Sequence, residues 1–376
     1  MKEYILLALV LFSTCLCSCF PSDNLNTSSL GNITYVDNSG DFTGDSLTID
    51  NGFIKGNLSE NISVKVKNVQ VDQKLCPLEF KYNMYTEEQI INTFFNNKVI
   101  VKKTSHDDEI LNGYKNIFIK SDDAFGGSSA GEIRYETNKI ESNNIFLILR
   151  GYKTNIRDDI KDIFSKNIPN NLNTENYIKR TDTLLAELNI LNTSSPTIYY
   201  IDKDSLSLEN DIMQNDIKTF NDNYILIVYD NFQINNIDLN KNPISWNFAG
   251  SWFESYFFAL INTSNNEIEL LQGTGLYDLN SIKETSSCSP VISINDAIIA
   301  AACEYNKKIT QKNTLISDAI LNYVPIIDNN QTLLIPAWAI TITSKSQMWN
   351  EKIQQYSDYN KESTIFVNAL NGKVML

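Results

Sequence analysis

The regular alternation in the last quarter of the chain constrains its fold more than any other feature. Between Thr332 and Thr343, the residues Leu334, Pro336, Trp338, Ile340 and Ile342 fall on every second position. Successive side chains of a strand point to opposite faces, so this period puts all of them on one side of a sheet. Two further strand-like runs flank the segment, Leu315–Ile327 before it and Ser363–Leu370 after it. Asn371-Gly372 then supplies the left-handed conformations of a tight hairpin, so Lys373–Leu376 is expected to pair back. Upstream, Ser293 with Asp296 forms a helix start, and Ile294, Ala297, Ile298, Ala301 and Tyr305 follow at helical spacing. Pro325 and Pro336 lack an amide donor and belong at edges, bulges or strand ends. A helix followed by an antiparallel meander is the expectation for this region.

The earlier part of the chain is patterned more loosely. Ile62, Val64 and Val66 alternate with Ser63, Lys65 and Lys67, which reads as a strand with one buried face. Thr86-Glu87-Glu88-Gln89 is a capping box ahead of a helical stripe of Ile90, Ile91, Phe94 and Phe95. Strand-like runs follow at Lys98–Val101, Tyr114–Lys120, Glu132–Lys139 and Asn144–Gly151. Asn155 with Asp158, and then Thr174, cap two further helical stripes, with Pro169-Asn170-Asn171 between them as the candidate domain boundary. Strand signals return at Thr197–Ile201 and Tyr224–Tyr229, and the run Ile244–Ile261 reads as two strands around Gly250-Ser251. The expected fold class is α+β, with helices packed on antiparallel sheets in two tandem units, residues 46–169 and 170–376.

Composition narrows the function. With 42% hydrophobic residues, 18 Phe, 18 Tyr and 4 Trp, the chain has ample material for a core. The formal charge of −14, with no cluster of Lys and Arg, argues against a nucleic-acid partner. A single histidine, His106, in the polar stretch Thr104–Glu109, leaves no set for His-dependent nucleophiles or multi-His metal sites. No cofactor and no metal are expected. The spacing of Cys76, Cys288 and Cys303 matches no zinc pattern; one disulfide plus a free thiol, and three buried thiols, both fit.

The first residues carry an address. Tyr4–Phe12 is apolar but far shorter than the ~20 residues of a membrane span, which suits a signal-peptide core. It is closed by Leu16-Cys17-Ser18-Cys19, and Leu three before a cysteine with a small residue just before it resembles a bacterial lipoprotein signal. That resemblance implies residues 1–18 as the signal peptide, cleavage after Ser18 with Leu16 as the second recognition residue, and a lipid on Cys19. It implies a protein held at the cell membrane by the anchor on Cys19, facing the extracytoplasmic side, with diacylation making the attachment durable. Residues 19–45, rich in Ser, Asn, Asp, Thr and Gly, read as a flexible tether.

A second resemblance rests on Pro290-Val291-Ile292-Ser293 with Asp296-Ala297-Ile298, Leu334-Ile335-Pro336-Ala337-Trp338, and Val367-Asn368-Ala369-Leu370-Asn371-Gly372. These segments resemble PepSY-type domains and the C-terminal parts of YycH/YycI-type regulatory proteins and of bacterial lipoproteins. The resemblance implies a PepSY-like C-terminal unit and a role in regulation by binding. It differs in the anchor, since the YycH/YycI-type proteins use an N-terminal membrane helix.

Candidate chemistry is sparse. Asp107-Asp108-Glu109, Asp122-Asp123, Asp158-Asp159 and Glu267/Glu269 are the carboxylate pairs, the last expected to face one solvent side of a strand. Asp122–Gly131 is the most glycine-rich stretch and reads as a long hairpin connection. Trp246, Phe248, Trp252, Phe253, Tyr256, Phe257 and Phe258 form the densest aromatic cluster and read as core. Ser344–Glu362 reads as a long insertion between paired strands, so its Trp349, Tyr356 and Tyr359 are the candidate partner contacts. The expected function is a noncatalytic binding or regulatory adaptor of an envelope protein. The alternatives are a solute-binding lipoprotein for a sugar or peptide, and a carboxylate-dependent hydrolase.

Overall fold

The computed structural model describes residues 46–49, 62–67, 74–108, 111–138, 164–190, 195–206, 221–230, 232–240, 255–308, 314–328, 331–350 and 355–375. These belong to one compact unit, Gly44–Leu376. The signal residues Leu16, Ser18 and Cys19, the tether to residue 45, the expected helix at Asn155 and Asp158, the strand Asn144–Gly151, and Trp246, Phe248, Trp252 and Phe253 lie outside the described residues.

Strands dominate. The described part is 52% strand and 18% helix, which overturns the expected α+β class of helices packed on antiparallel sheets. The strands are β1 (Ser46–Ile49), β2 (Ile62–Lys67), β3 (Lys74–Leu75), β4 (Leu78–Tyr82), β5 (Ile100–Asp107), β6 (Lys115–Ser121), β7 (Ala124–Ser129) and β8 (Glu132–Thr137). They continue as β9 (Thr197–Ile201), β10 (Tyr224–Tyr229), β11 (Gln233–Ile234), β12 (Ile237–Leu239), β13 (Tyr256–Asn262), β14 (Ile268–Thr274), β15 (Tyr277–Glu284) and β16 (Ser289–Pro290). The last are β17 (Thr314–Asp328), β18 (Gln331–Asn350), β19 (Gln355–Asn368) and β20 (Val374–Met375). Three helices of eight residues or more accompany them: α1 (Glu87–Phe94), α2 (Thr174–Glu187) and α3 (Ile294–Lys308).

Two large sheets organise the unit. An eight-stranded antiparallel sheet runs β5-β6-β7-β8-β14-β13-β10-β9. A ten-stranded sheet has the path β1-β2-β17-β18-β19-β20, with β4, β11, β12 and β15 attached. In it β2 and β12 pair with β17 in parallel, while β4 pairs antiparallel with both β15 and β18. Strands from before and after Pro169-Asn170-Asn171 therefore share both sheets, β8 beside β14 and β4 beside β18. The two expected tandem units share both sheets instead, and the strands of the last quarter are part of the ten-stranded one.

Local signals still produced their elements. In α1 the capping box closes in both directions, Gln89 N donating to Thr86 Oγ1 at 3.1 Å and Thr86 N to Gln89 Oε1 at 2.9 Å. At the start of α3, Asp296 N donates to Ser293 Oγ at 3.2 Å. Ala297, Ile298, Ala301 and Ala302 of that helix are fully buried. For α2 the cap is Asn173, one residue before the expected Thr174. Asn371 and Gly372 make the last turn, Gly372 with φ 72°, and Val374 pairs with Val367.

One core runs through both sheets and all three helices. Trp338, 1% exposed, packs within it and donates its indole N–H to the Ile292 carbonyl at 3.3 Å. Pro336 opposes Tyr323 inside the β17–β18 ladder, which runs in mid-strand. Its carbonyl accepts from Ala369 N, so its missing donor faces the gap between β4 and the end of β19. The glycine-rich stretch is strand β7, and this is a second departure from expectation. A Cβ at Gly127 would lie 2.5 Å from the Ile117 carbonyl oxygen and one at Gly126 2.9 Å from the Phe95 ring, so glycine is what lets the strand pass there.

Candidate functional site

The region expected to be a loop is a β-ribbon. The ladder between β18 and β19 continues without a break from Ala337↔Asn368 to Asn350↔Gln355. β17 accompanies β18 only as far as Thr314↔Ser344. Beyond that point, six residue pairs from Lys345↔Asn360 to Asn350↔Gln355 form a two-stranded arm with no further strand beside it among the described residues. At 3.4 Å per residue the arm is about 20 Å long. Its register sets Trp349 directly opposite Tyr356 near the tip, and Tyr359 opposite Ser346 nearer the sheet. The Tyr356 side chain is 65% exposed. Two of the three candidate contacts are thus cross-strand neighbours, and the third stands apart from them along the arm.

The carboxylate pairs do not assemble into a site. Asp108 holds a turn, accepting from Leu111 N at 2.8 Å and from Asn116 Nδ2 at 3.2 Å. Asp123 is bound by Lys98 at 2.5 Å and accepts from Ser121 Oγ at 2.8 Å, contacts that hold its carboxyl below the usual aspartate range. Glu109 and Asp158-Asp159 lie outside the described residues.

Glu267 and Glu269 part company, against expectation. The register steps from Leu260↔Leu270 to Ile261↔Ile268, so Glu269 is the extra residue of a β-bulge, and its side chain is 1% exposed while Glu267 is exposed. Asn262 Nδ2 donates to Glu269 Oε1 at 2.9 Å and also to Asp222 Oδ2 at 3.0 Å. The Tyr224 hydroxyl hydrogen-bonds Glu269, and burial followed by the nearby carboxylates raises that phenol well above its ordinary value. A carboxylate this enclosed offers no face to a substrate. Its geometry is that of a clamp fastening the β13–β14 turn to β10.

A groove that sequence reasoning missed lies between α1 and α2. It encloses about 320 Å³, and Phe94, Tyr135, Leu184 and Ile268 form its apolar surface. Phe94 and Tyr135 stack with centroids 5.0 Å apart and rings 13° from parallel. Burial, then the charges of Asp123, Glu267 and Glu269, push the Tyr135 phenol up to about 12. Thr93, Arg180, Thr183 and Glu187 supply the polar rim. The α2 helix is tied to the β13–β14 turn at Asn266, whose carbonyl accepts from Arg180 and whose Oδ1 accepts from the Tyr177 hydroxyl at 2.9 Å. Phe94 was visible in the sequence as part of a helical stripe and Tyr135 fell within a strand-like run, but nothing local brings residue 94 to residue 184.

Cys76 and Cys288 form a disulfide across 212 positions, and Cys303 is free and exposed, which is the first of the two arrangements the spacing left open. The bridge joins the ends of β3 and β16, which pair over only two residues. Glu284 lies beside it, with the ligand-type atoms of the three residues within 4.8 Å of one another, but both sulfurs are committed to each other. His106 is in strand β5, opposite Asn116 and exposed, where a turn-like stretch was expected. Among the described residues no helix is long and apolar enough to cross a membrane.

The fold has a counterpart among solved structures. An uncharacterised protein from Eubacterium rectale ATCC 33656 superposes with a TM-score of 0.58 over 89% of this chain and 94% of that one, at 12% identity. That likeness is one of fold alone. No family model matches the chain, and no curated protein does.

Proposed function

We propose that this protein is a noncatalytic binding adaptor, lipid-anchored through Cys19 on the extracytoplasmic side, that engages an envelope protein through the β18–β19 arm. The observation that carries the binding role is the arm itself. A two-stranded hairpin is marginally stable alone in water, so one that runs six pairs beyond its sheet, with an aromatic exposed near its tip, is suited to gain its support from a partner. Tyrosine and tryptophan paired across strands provide large contact area at low entropic cost, as interface anchors do.

The disulfide supports the compartment. Such bridges form and persist outside the reducing cytosol, and Cys76–Cys288 fits a chain exported by the signal at residues 1–18. The test is retention of an envelope protein by the full chain from detergent-solubilised membranes. Wild type should retain a specific protein, and Tyr356→Ala should lower that retention at least tenfold with an unchanged unfolding midpoint. Equal retention by the two proteins would overturn the reading.

A further inference from the structure

The groove between α1 and α2 carries opposite charges on its rim, and one of them, Arg180, also ties α2 to the Asn266 carbonyl. Glu187 occupies the last turn of α2, a turn without a basic residue. Helix carbonyls leave partial negative charge at that end, so a carboxylate there is electrostatically unfavourable unless a cation joins it. Seven residues earlier on the same helix, Arg180 stands on the same rim. Seven residues of helix span two turns and about 10.5 Å, with both residues on one face. Leu184 lies between the two charges on the helix, and the stacked Phe94–Tyr135 pair lines the same groove.

We infer that this groove binds a short peptide with free ends, its ammonium at Glu187 and the α2 C-terminus, its carboxylate at Arg180, and an apolar side chain on Phe94 and Tyr135. An extended chain advances about 3.3 Å per residue, so two to four residues span the distance between the two charges. A groove of about 320 Å³ falls at the lower end of the size range of pockets that enclose small molecules. Opposite charges at the two ends select a zwitterion over a sugar or a simple anion, and the aromatic floor selects an apolar side chain over a polar one. This inference is independent of the arm, which belongs to a different sheet.

The experiment uses the full chain and the tripeptide alanyl-phenylalanyl-alanine, with its N-acetylated, C-amidated form as the uncharged control, followed by thermal shift and calorimetry. The free tripeptide should give saturable binding and raise Tm by about 2–4 °C at high occupancy. The blocked form should bind at least tenfold more weakly. Glu187→Gln and Arg180→Gln change exposed side chains, and because Arg180→Gln also gives up the bond to the Asn266 carbonyl, an unchanged Tm without peptide is its fold control; each should weaken the free tripeptide at least tenfold. Leu184→Arg, which fills the groove, should abolish binding. Absence of saturable binding, equal affinity for the blocked peptide, or unchanged affinity in both charge variants would each overturn the inference, while leaving the retention assay at Tyr356 unaffected.

Discussion

Removing the Cys76–Cys288 bridge is the perturbation whose cost follows most directly from the structure. The bridge closes a loop of 212 positions, and the chain-entropy relation for a loop of that length gives about 5 kcal/mol at 25 °C. Native bridges deliver about 2–5 kcal/mol when removed, so a loss of about 3–5 kcal/mol is expected for Cys76→Ala with Cys288→Ala. Beside the bridge, β3 and β16 pair over two residues, and Thr285 N donates to the Pro77 carbonyl at 2.9 Å. For a unit the size of Gly44–Leu376, with an unfolding entropy of about 0.7 kcal/mol/K, the loss lowers Tm by about 4–7 °C. The assay is thermal and urea unfolding of the double variant beside oxidised and fully reduced wild type, with thiols counted in the native protein. Reduced wild type and the double variant should share the lower midpoint. Coincidence of all three midpoints, or more than one reactive thiol among Cys76, Cys288 and Cys303 before reduction, would refute the reasoning.

Other consequences are narrower. Trp338→Ala empties a site 1% exposed and should cost about 3–5 kcal/mol in urea unfolding. Gly127→Ala drives a methyl group into the Ile117 carbonyl oxygen at 2.5 Å and should cost about 1–3 kcal/mol, whereas Gly113→Ala meets no atom within 4 Å and is strained only by its φ of +87°. The lowered carboxyl of Asp123 contributes stability above its unfolded pKa that is lost as pH falls through the folded value. Asp123→Asn should therefore flatten the acid limb of a stability–pH profile, weakly, because its side chain is 62% exposed. Tyr135, raised to about 12, behaves oppositely: stability present below the ordinary tyrosine value is lost as pH rises toward 12, and Tyr135→Phe should reduce the alkaline slope in tyrosinate absorbance and unfolding.

What the sequence made legible was local. Thr86 with Gln89, Ser293 with Asp296, the Asn371-Gly372 turn, and the alternation through Leu334, Trp338 and Ile342 each act within a few residues, and each formed its element. Pairing over long range was not legible. Nothing around Leu78 or Leu334 announces that β4 adds to β18, and no period reveals that β2 and β12 approach β17 in parallel. Strand β7 was hidden because its glycines answer a steric need against Ile117 and Phe95 that the local pattern does not record. Most of β5 was hidden because an edge strand exposed along nearly its full length has no apolar face to give a period. The arm escaped because its polar composition read as a loop, although Trp349 and Tyr356 were already the notable residues in it. Glu269 was placed on the wrong side because a bulge shifts the alternation by one residue.

The central proposal is that this is an exported protein, fastened by lipid and stapled by the Cys76–Cys288 disulfide, that works by binding. Intact mass spectrometry of the native protein, taken from membranes without reduction, tests it most directly. The account predicts a chain beginning at Cys19, carrying a diacylglyceryl thioether there, with Cys76 joined to Cys288. A chain that retains residues 1–18, with an unmodified Cys19 and three free thiols at positions 76, 288 and 303, would contradict it.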